Sequence, residues 1–158
     1  DLLHNNLVAG RIMTAATATG QAQAVFDTVL KYTEERVVGN KPIRQHSVAA
    51  NILADMAIGI ETSRLAYLSA AWMYDHPERY APRTSHFMLS RGSVAKMHAC
   101  DVAVSVCNRA MELMGSYGYV REYDVEKYWR DSKIIQLWEG GAQLGRFEVC
   151  RGYYDLTI

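Results

Sequence analysis

Glu139 lies in the run Ile134-Ile135-Gln136-Leu137-Trp138-Glu139-Gly140-Gly141-Ala142-Gln143-Leu144-Gly145-Arg146. A carboxylate there sits between a bulky aromatic and two glycines, just ahead of an amphipathic stretch. An apolar wall disfavours ionisation and keeps a carboxylate basic enough to take a proton. Glycines let backbone approach a ligand closely. The same residue also reads as an acid near a helix N-terminus, favoured by the dipole, and both readings stand at this point. Arg36, beside Glu34 and Glu35 at the end of a long helical pattern, suits a helix C-terminus. The run Gly115-Ser116-Tyr117-Gly118-Tyr119 forms a loose glycine loop. It follows no strand, so a dinucleotide-binding loop fails on context, whereas a helix C-cap needs no ligand. Tyr128–Lys133 packs aromatics against alternating charge, which reads Arg130 and Asp131 as ion-pair residues.

Other chemistries find little support. The five histidines (His4, His46, His76, His86 and His98) never fall at i, i+3 or i+4, so no helical metal site is expected. No nucleophile elbow and no phosphate-binding loop of the GxxxxGK type is present. Cys100, Cys107 and Cys150 lack CxxC spacing and read as reduced, buried thiols, the first two on one helical face. The 158 residues are 49% apolar and 22% charged with a formal net charge of zero. That is enough chain for one domain with a core, and a poor match to a nucleic-acid surface. No stretch of eighteen apolar residues spans a membrane, and the first residues lack a signal-peptide pattern.

The elements that must position these residues are helices. Prolines occur only at 42, 77 and 82. One helical segment is expected over 3–36, with Ala22, Val25, Phe26, Val29 and Leu30 on one face, stopped by Gly39-Asn40-Lys41-Pro42. A second covers 45–74, with Val48, Ile52, Met56 and Ile60 stacked at i+4. Residues 75–85 read as a loop. A third segment covers 89–114, with Val102, Val106, Ala110 and Leu113 on one stripe. An irregular stretch with one helical turn near 125–129 follows, and a fourth segment covers 142–153. Broad apolar stripes on long helices joined by short loops predict an all-α, antiparallel four-helix bundle.

Several runs, taken in order, resemble the acyl-CoA dehydrogenases. Tyr32-Thr33-Glu34-Glu35-Arg36, then Lys41-Pro42-Ile43, is similar to that family's tyrosine–arginine–GK region. Leu53-Ala54-Asp55-Met56-Ala57 resembles its LADMA helix, and Ser93-Val94-Ala95-Lys96 its S-x-A-K motif. Gly115 to Tyr119, then Val125-Glu126-Lys127-Tyr128-Trp129-Arg130-Asp131-Ser132-Lys133-Ile134, resembles G-G-x-G-Y followed by V-E-R-x-x-R-D-x-K-I. Trp138-Glu139-Gly140-Gly141 stands where Y-E-G-T is expected. The resemblance covers nearly the whole chain but only the family's C-terminal helical domain. It implies that residues 1–158 are that domain, without the N-terminal helical and middle β-domains.

The resemblance also implies a function: FAD-dependent α,β-dehydrogenation of an acyl-CoA thioester to a trans-2-enoyl-CoA in fatty acid metabolism. Glu139 is then the base that takes the α-proton. The rival position, just before Arg11, is held by Gly10, which cannot act as a base. Arg11 and Gly140 are implied at the substrate. Arg36, Glu112, Gly115, Ser116, Gly141 and Gln143 are implied at the flavin, with Arg36 reaching the diphosphate of a neighbouring subunit. Implied partners are an electron-transfer flavoprotein and further copies of the chain, as a dimer or tetramer, or a partner acyl-CoA dehydrogenase subunit. Implied locations are the cytoplasm, or the mitochondrial matrix of a eukaryote. The chain departs from the family pattern at Gly39-Asn40 (an aromatic-Gly pair), Glu112 (a glutamine), Val8 (an acid) and Gly141 (a threonine). The alternative implied by these departures is a non-catalytic subunit that completes a partner's flavin site. FAD is not expected to stay on this domain alone.

Overall fold

A computed structural model describes residues 2–154, with the side chains of Leu2 and His4 not described. The sequence-based histidine reading therefore lies outside the described residues at His4. The chain forms α1 (Leu2–Glu35), a short ribbon of β1 (Val37–Val38) and β2 (Lys41–Pro42), α2 (Ser47–Asp75), α3 (His86–Met114), α4 (Ser116–Tyr119), α5 (Val125–Leu137) and α6 (Gly141–Arg151). Single 3₁₀ turns at Ile43–Gln45 and Arg121–Tyr123 link these elements.

Side-chain contacts fix the directions of the helices. Tyr74 donates to Asn5 at 3.0 Å and Arg64 to Gln23 at 2.9 Å, so α2 runs antiparallel to α1. Arg11 donates to Ser93 at 2.5 Å and Tyr32 to the Met114 carbonyl at 3.5 Å, so α3 runs parallel to α1. Trp129 donates to Asn108 and Gln136 to Asp101, which makes α5 antiparallel to α3. Arg146 also pairs with Asp101, at 2.6 Å, and Gly152 lies against Ser90 further back along α3. Thus α5 and α6 run along α3 one after the other. The architecture is an antiparallel bundle whose fourth member is a helix broken at residues 138–140.

That break corrects the sequence-based expectation. The stretch read as irregular with one turn near 125–129 is a helix of 13 residues. Its buried positions, Val125, Ser132 and Ile135, are too sparse and too polar to register as an apolar stripe. Its exposed side is laced instead by ion pairs at i, i+4, Glu126–Arg130 at 2.9 Å and Lys127–Asp131 at 3.3 Å. Arg130 and Asp131 are therefore paired, each to the residue four before it.

The core is small-residue rich. Ala15, Ala18, Ala22, Val25 and Val29 of α1 meet Ala95, Ala99, Cys100, Ala103, Val106, Cys107 and Ala110 of α3, with Met56 and Ile60 of α2 closing one side. Alanine ridges let helix axes approach closely. Threonines within α1 keep their hydroxyls satisfied by bonding back to the carbonyl four residues earlier, as Thr19 does to Ala15 at 2.8 Å and Thr33 to Val29 at 2.8 Å. One expected core position is not in the core: Val48 is 71% exposed. It lies at the first turn of α2, before the helix reaches its neighbours.

Candidate active site

The break between α5 and α6 is built from backbone that only special residues accept easily. Glu139, Gly140 and Gly141 have φ of 53°, 98° and 62°, three successive left-handed positions. Gly141 stands where the resembling family has a threonine. A β-branched residue at that φ would be strained, so glycine suits this turn.

The Glu139 side chain folds back onto α1. A Cβ placed on Gly10 would sit 2.6 Å from Glu139 Oε1, so the carboxylate occupies the space a side chain at position 10 would need. One turn further along, Thr14 Oγ1 donates to Glu139 Oε2 at 3.1 Å. Glu139 and Trp138 are both exposed residues, Trp138 by 44%, and the contact of the carboxylate with Thr14 is half-buried. Within this chain Trp138 therefore supplies no enclosing apolar wall.

Arg11, between Gly10 and Thr14 in sequence, is 1% exposed. Burial pulls its guanidinium below the usual arginine range, an effect opposed by the charges of Glu148 and then Glu139. Its guanidinium donates to Ser93 on α3 and lies near Gly140. Arg11 thus underlies the break and does not line an open surface. Lys96 is wholly buried behind the same break and donates to the carbonyls of Gln136 at 3.1 Å and Trp138 at 2.7 Å. Desolvation is the main cause that pulls its ammonium down, and nearby Cys100, Glu139 and Asp101 oppose it while Arg11 adds to it.

The remaining expected site residues fall into two groups. Gly140, Gly141 and Gln143 lie with Glu139 at the break, Gln143 exposed in the first turn of α6. Arg36, Glu112, Gly115 and Ser116 lie at the other end of α1 and α3. Arg11 and Arg36 are 25 positions apart on or just beyond one helix, or about 37 Å at 1.5 Å per residue. One chain therefore brings five of the nine together at one end and four at the other.

At the second end Arg36 is exposed, its guanidinium 5.7 Å from the Tyr117 ring centre. Tyr32, Tyr117 and Tyr123 stand with ring centres 5.9 Å apart around an open groove that Glu35, Glu122 and Asp124 also line. An exposed planar cation beside aromatic faces can pair with an anion and stack on a ring, while the three carboxylates of the groove oppose negative charge there. The Glu112 carboxylate is held by Arg109 at 2.9 Å, which answers its charge locally. Gly115, with φ of 59°, ends α3 as a cap, its N–H donating to the Met111 carbonyl. Gly39 and Asn40, φ 58° and 64°, are the two centre positions of the β1–β2 hairpin. Positive φ at both explains a Gly-Asn pair where the resembling pattern has an aromatic.

Sequence reasoning did not single out Thr14, Lys96 as a buried cation, or Asp101. A usable signal existed for Thr14, which follows Gly10 by one helical turn and so shares its face. Among the described residues, no three His, Cys, Asp or Glu side chains gather as a metal-ligand set, and no helix is long and apolar enough to cross a membrane.

Comparison with known proteins identifies the family of the fold. Residues 1–152 match the family model of the acyl-CoA dehydrogenase C-terminal domain. The "Probable acyl-CoA dehydrogenase YngJ" of Bacillus subtilis is 36% identical over 142 residues, 90% of this chain and 35% of that protein. The caffeyl-CoA reductase-Etf complex subunit CarC of Acetobacterium woodii is 31% identical over 140 residues, covering 89% and 35%. The solved butyryl-CoA dehydrogenase of Megasphaera elsdenii superposes with a TM-score of 0.84 at 32% identity, covering 95% of this chain and 37% of that one. The chain thus spans about a third of the length of these relatives. The broken fourth helix, the glycines at its break and the match over residues 1–152 lead to one conclusion: the chain belongs to the acyl-CoA dehydrogenase family, as its C-terminal helical domain.

Proposed function

We propose that this chain is the C-terminal part of a flavin-dependent acyl-CoA dehydrogenase in which Glu139 removes the α-proton of the acyl thioester. The observation that carries this reading is the Glu139 carboxylate itself, on an exposed residue at a helix break, seated over Gly10 and held by the Thr14 hydroxyl. A carboxylate fixed on rigid elements has the geometry a general base needs before its substrate closes the site. The α C–H bond breaks toward a Glu139 oxygen as the double bond forms, giving a trans-2-enoyl-CoA. The chemistry that a bound flavin would supply is acceptance of the β-hydrogen as hydride. Thr14 holds one carboxylate oxygen and leaves the other for the proton. Arg11, buried beneath, keeps a compensating positive charge close to the anionic form. Gly140 would meet the thioester through its backbone, since Leu144 and the Arg11 guanidinium fill the space a side chain there would need.

Gly141 and Gln143 at this end, with Arg36, Glu112, Gly115 and Ser116 from another copy's far end, are the residues that would hold the flavin. The separation of about 37 Å supports that division. An electron-transfer flavoprotein as electron acceptor is supported by the relative whose name includes an Etf complex. The test is Glu139→Gln in the full-length enzyme carrying this chain. Gln keeps the size and removes the base, and the expected loss in kcat is on the order of 10³-fold or more. A variant that keeps most of its rate would show that another group takes the proton, leaving this chain as a subunit that completes a partner's site.

A further inference from the structure

We propose that Lys96 is a positioning residue for Glu139. Its buried ammonium clamps the C-terminal carbonyls of α5 and so fixes the break at which the carboxylate is presented. The inference rests on the reading of Glu139 as the base.

The last four carbonyls of a helix have no partner inside it. At the end of α5, the carbonyls of Gln136 and of Trp138, the residue just beyond the helix, accept from Lys96 Nζ at 3.1 and 2.7 Å. A lysine is rarely fully buried unless paired. Lys96 is fully buried, and its charge faces the negative end of the α5 dipole. The position is costly for a lysine unless those carbonyls need a cation. They are the last fixed points before Glu139, whose φ of 53° is uncommon for a residue with a side chain. A conformation of that kind persists only where its surroundings over-determine it.

The same helix holds the other flank. Asp101, five positions further along α3, accepts from Gln136 at 2.7 Å and pairs with Arg146 of α6 at 2.6 Å. So α3 grips the chain before the break through Lys96 and on both sides of it through Asp101. The hydrogen bonds of Lys96 and Asp101 go to Gln136, Trp138 and Arg146, while Thr14 and the space over Gly10 set the Glu139 carboxylate from the α1 side. Lys96 therefore holds Glu139 in place through the backbone, and its charge adds an attraction to the carboxylate. Losing Lys96 frees the Gln136 carbonyl and leaves that of Trp138 only the Gly141 N–H at 3.4 Å, so residues 138–141 can relax toward less strained φ values and move the carboxylate.

The experiment uses the full-length enzyme carrying this chain. Lys96→Met keeps the stem and removes the donor, and Asp101→Asn loosens the other flank. With Lys96→Met, kcat for an acyl-CoA is expected to fall on the order of 10²-fold, the effect of a misplacement near 1 Å. KM stays close to that of the parent, and the isotope effect with α-deuterated substrate rises. Amide exchange quickens at residues 138–141 while α1 and α2 keep their protection. Asp101→Asn is expected to move the same quantities by less. Glu139→Gln is measured beside them. If that variant keeps its rate, the base reading fails first and this inference fails with it. If Glu139→Gln is inactive while Lys96→Met keeps kcat, the positioning role is overturned. It is also overturned if faster exchange and lost stability spread over the whole bundle. Should Lys96→Met fail to fold, Asp101→Asn decides: a lower kcat at unchanged KM supports the inference, and an unchanged kcat overturns it.

Discussion

Gly10 matters for the atom it lacks. Glycine inside a helix costs about 1 kcal/mol relative to alanine, and Gly10 sits well within α1. The Cβ of an alanine there would stand 2.6 Å from Glu139 Oε1, 3.2 Å from Cδ and 3.4 Å from Oε2. All three are the mobile end of a side chain, so the helix keeps its path and the carboxylate gives way. Gly10→Ala is therefore predicted to move stability and catalysis in opposite directions. Thermal unfolding should show a Tm equal to or above that of the parent, while kcat falls by on the order of tenfold or more. A parental kcat would mean that Glu139 works from a position other than the one over Gly10. In the sequence Gly10 is legible only as a residue that cannot be a base. That it shapes the seat of Glu139, more than a hundred positions later, depends on which face of α1 the break meets, and no periodicity encodes that.

At the scale of elements, α3 is the helix every other packs on, and its interior is where most of the fold was legible. The Val106–Ala110 stripe of α3 and the Ala22–Val25–Val29 stripe of α1 are buried as their spacing predicts. Helix α5 was not legible because ion pairs on its surface, more than apolar burial, accompany its formation. The break was visible as two glycines but not as the interruption of one bundle member. The reduced thiols Cys100 and Cys107 are free and buried in α3. Burial pushes both thiols up from 9.0 to about 11. A thiol whose folded pKa is raised stays protonated in the fold while the unfolded chain ionises, so stability is full below pH 9 and falls as pH rises toward 11. Lys96, whose ammonium is pulled down, contributes in the opposite sense as its folded pKa is passed. Replacing both thiols by alanine isolates their part. The parent chain should lose more of its urea midpoint between pH 8 and pH 10 than the double variant Cys100→Ala/Cys107→Ala. Equal losses would mean that the thiols are less shielded than their burial indicates.

For the whole molecule the decisive quantity is the length of α1. The residues assigned to substrate and base sit at one end of the bundle and Arg36 at the other, about 37 Å away, so one chain cannot offer both to one ligand. The outer face of α2 is apolar along Ile58, Leu65 and Trp72, seven positions apart and each more than half exposed. Such a row on a polar background is the kind of surface that a further protein can cover. If each site takes Glu139 from one copy and Arg36 from another, two inactive variants should rescue one another. In the full-length enzyme, Arg36→Ala spoils every site's far contact and Glu139→Gln spoils every site's base. A mixed assembly of the two holds one kind of site with both defects and another with neither. Unfolding and refolding the variants together should therefore yield activity well above that of either refolded alone, and the recovered sites should have the parental KM. A mixture no more active than its components would place Arg36 outside the site that Glu139 serves.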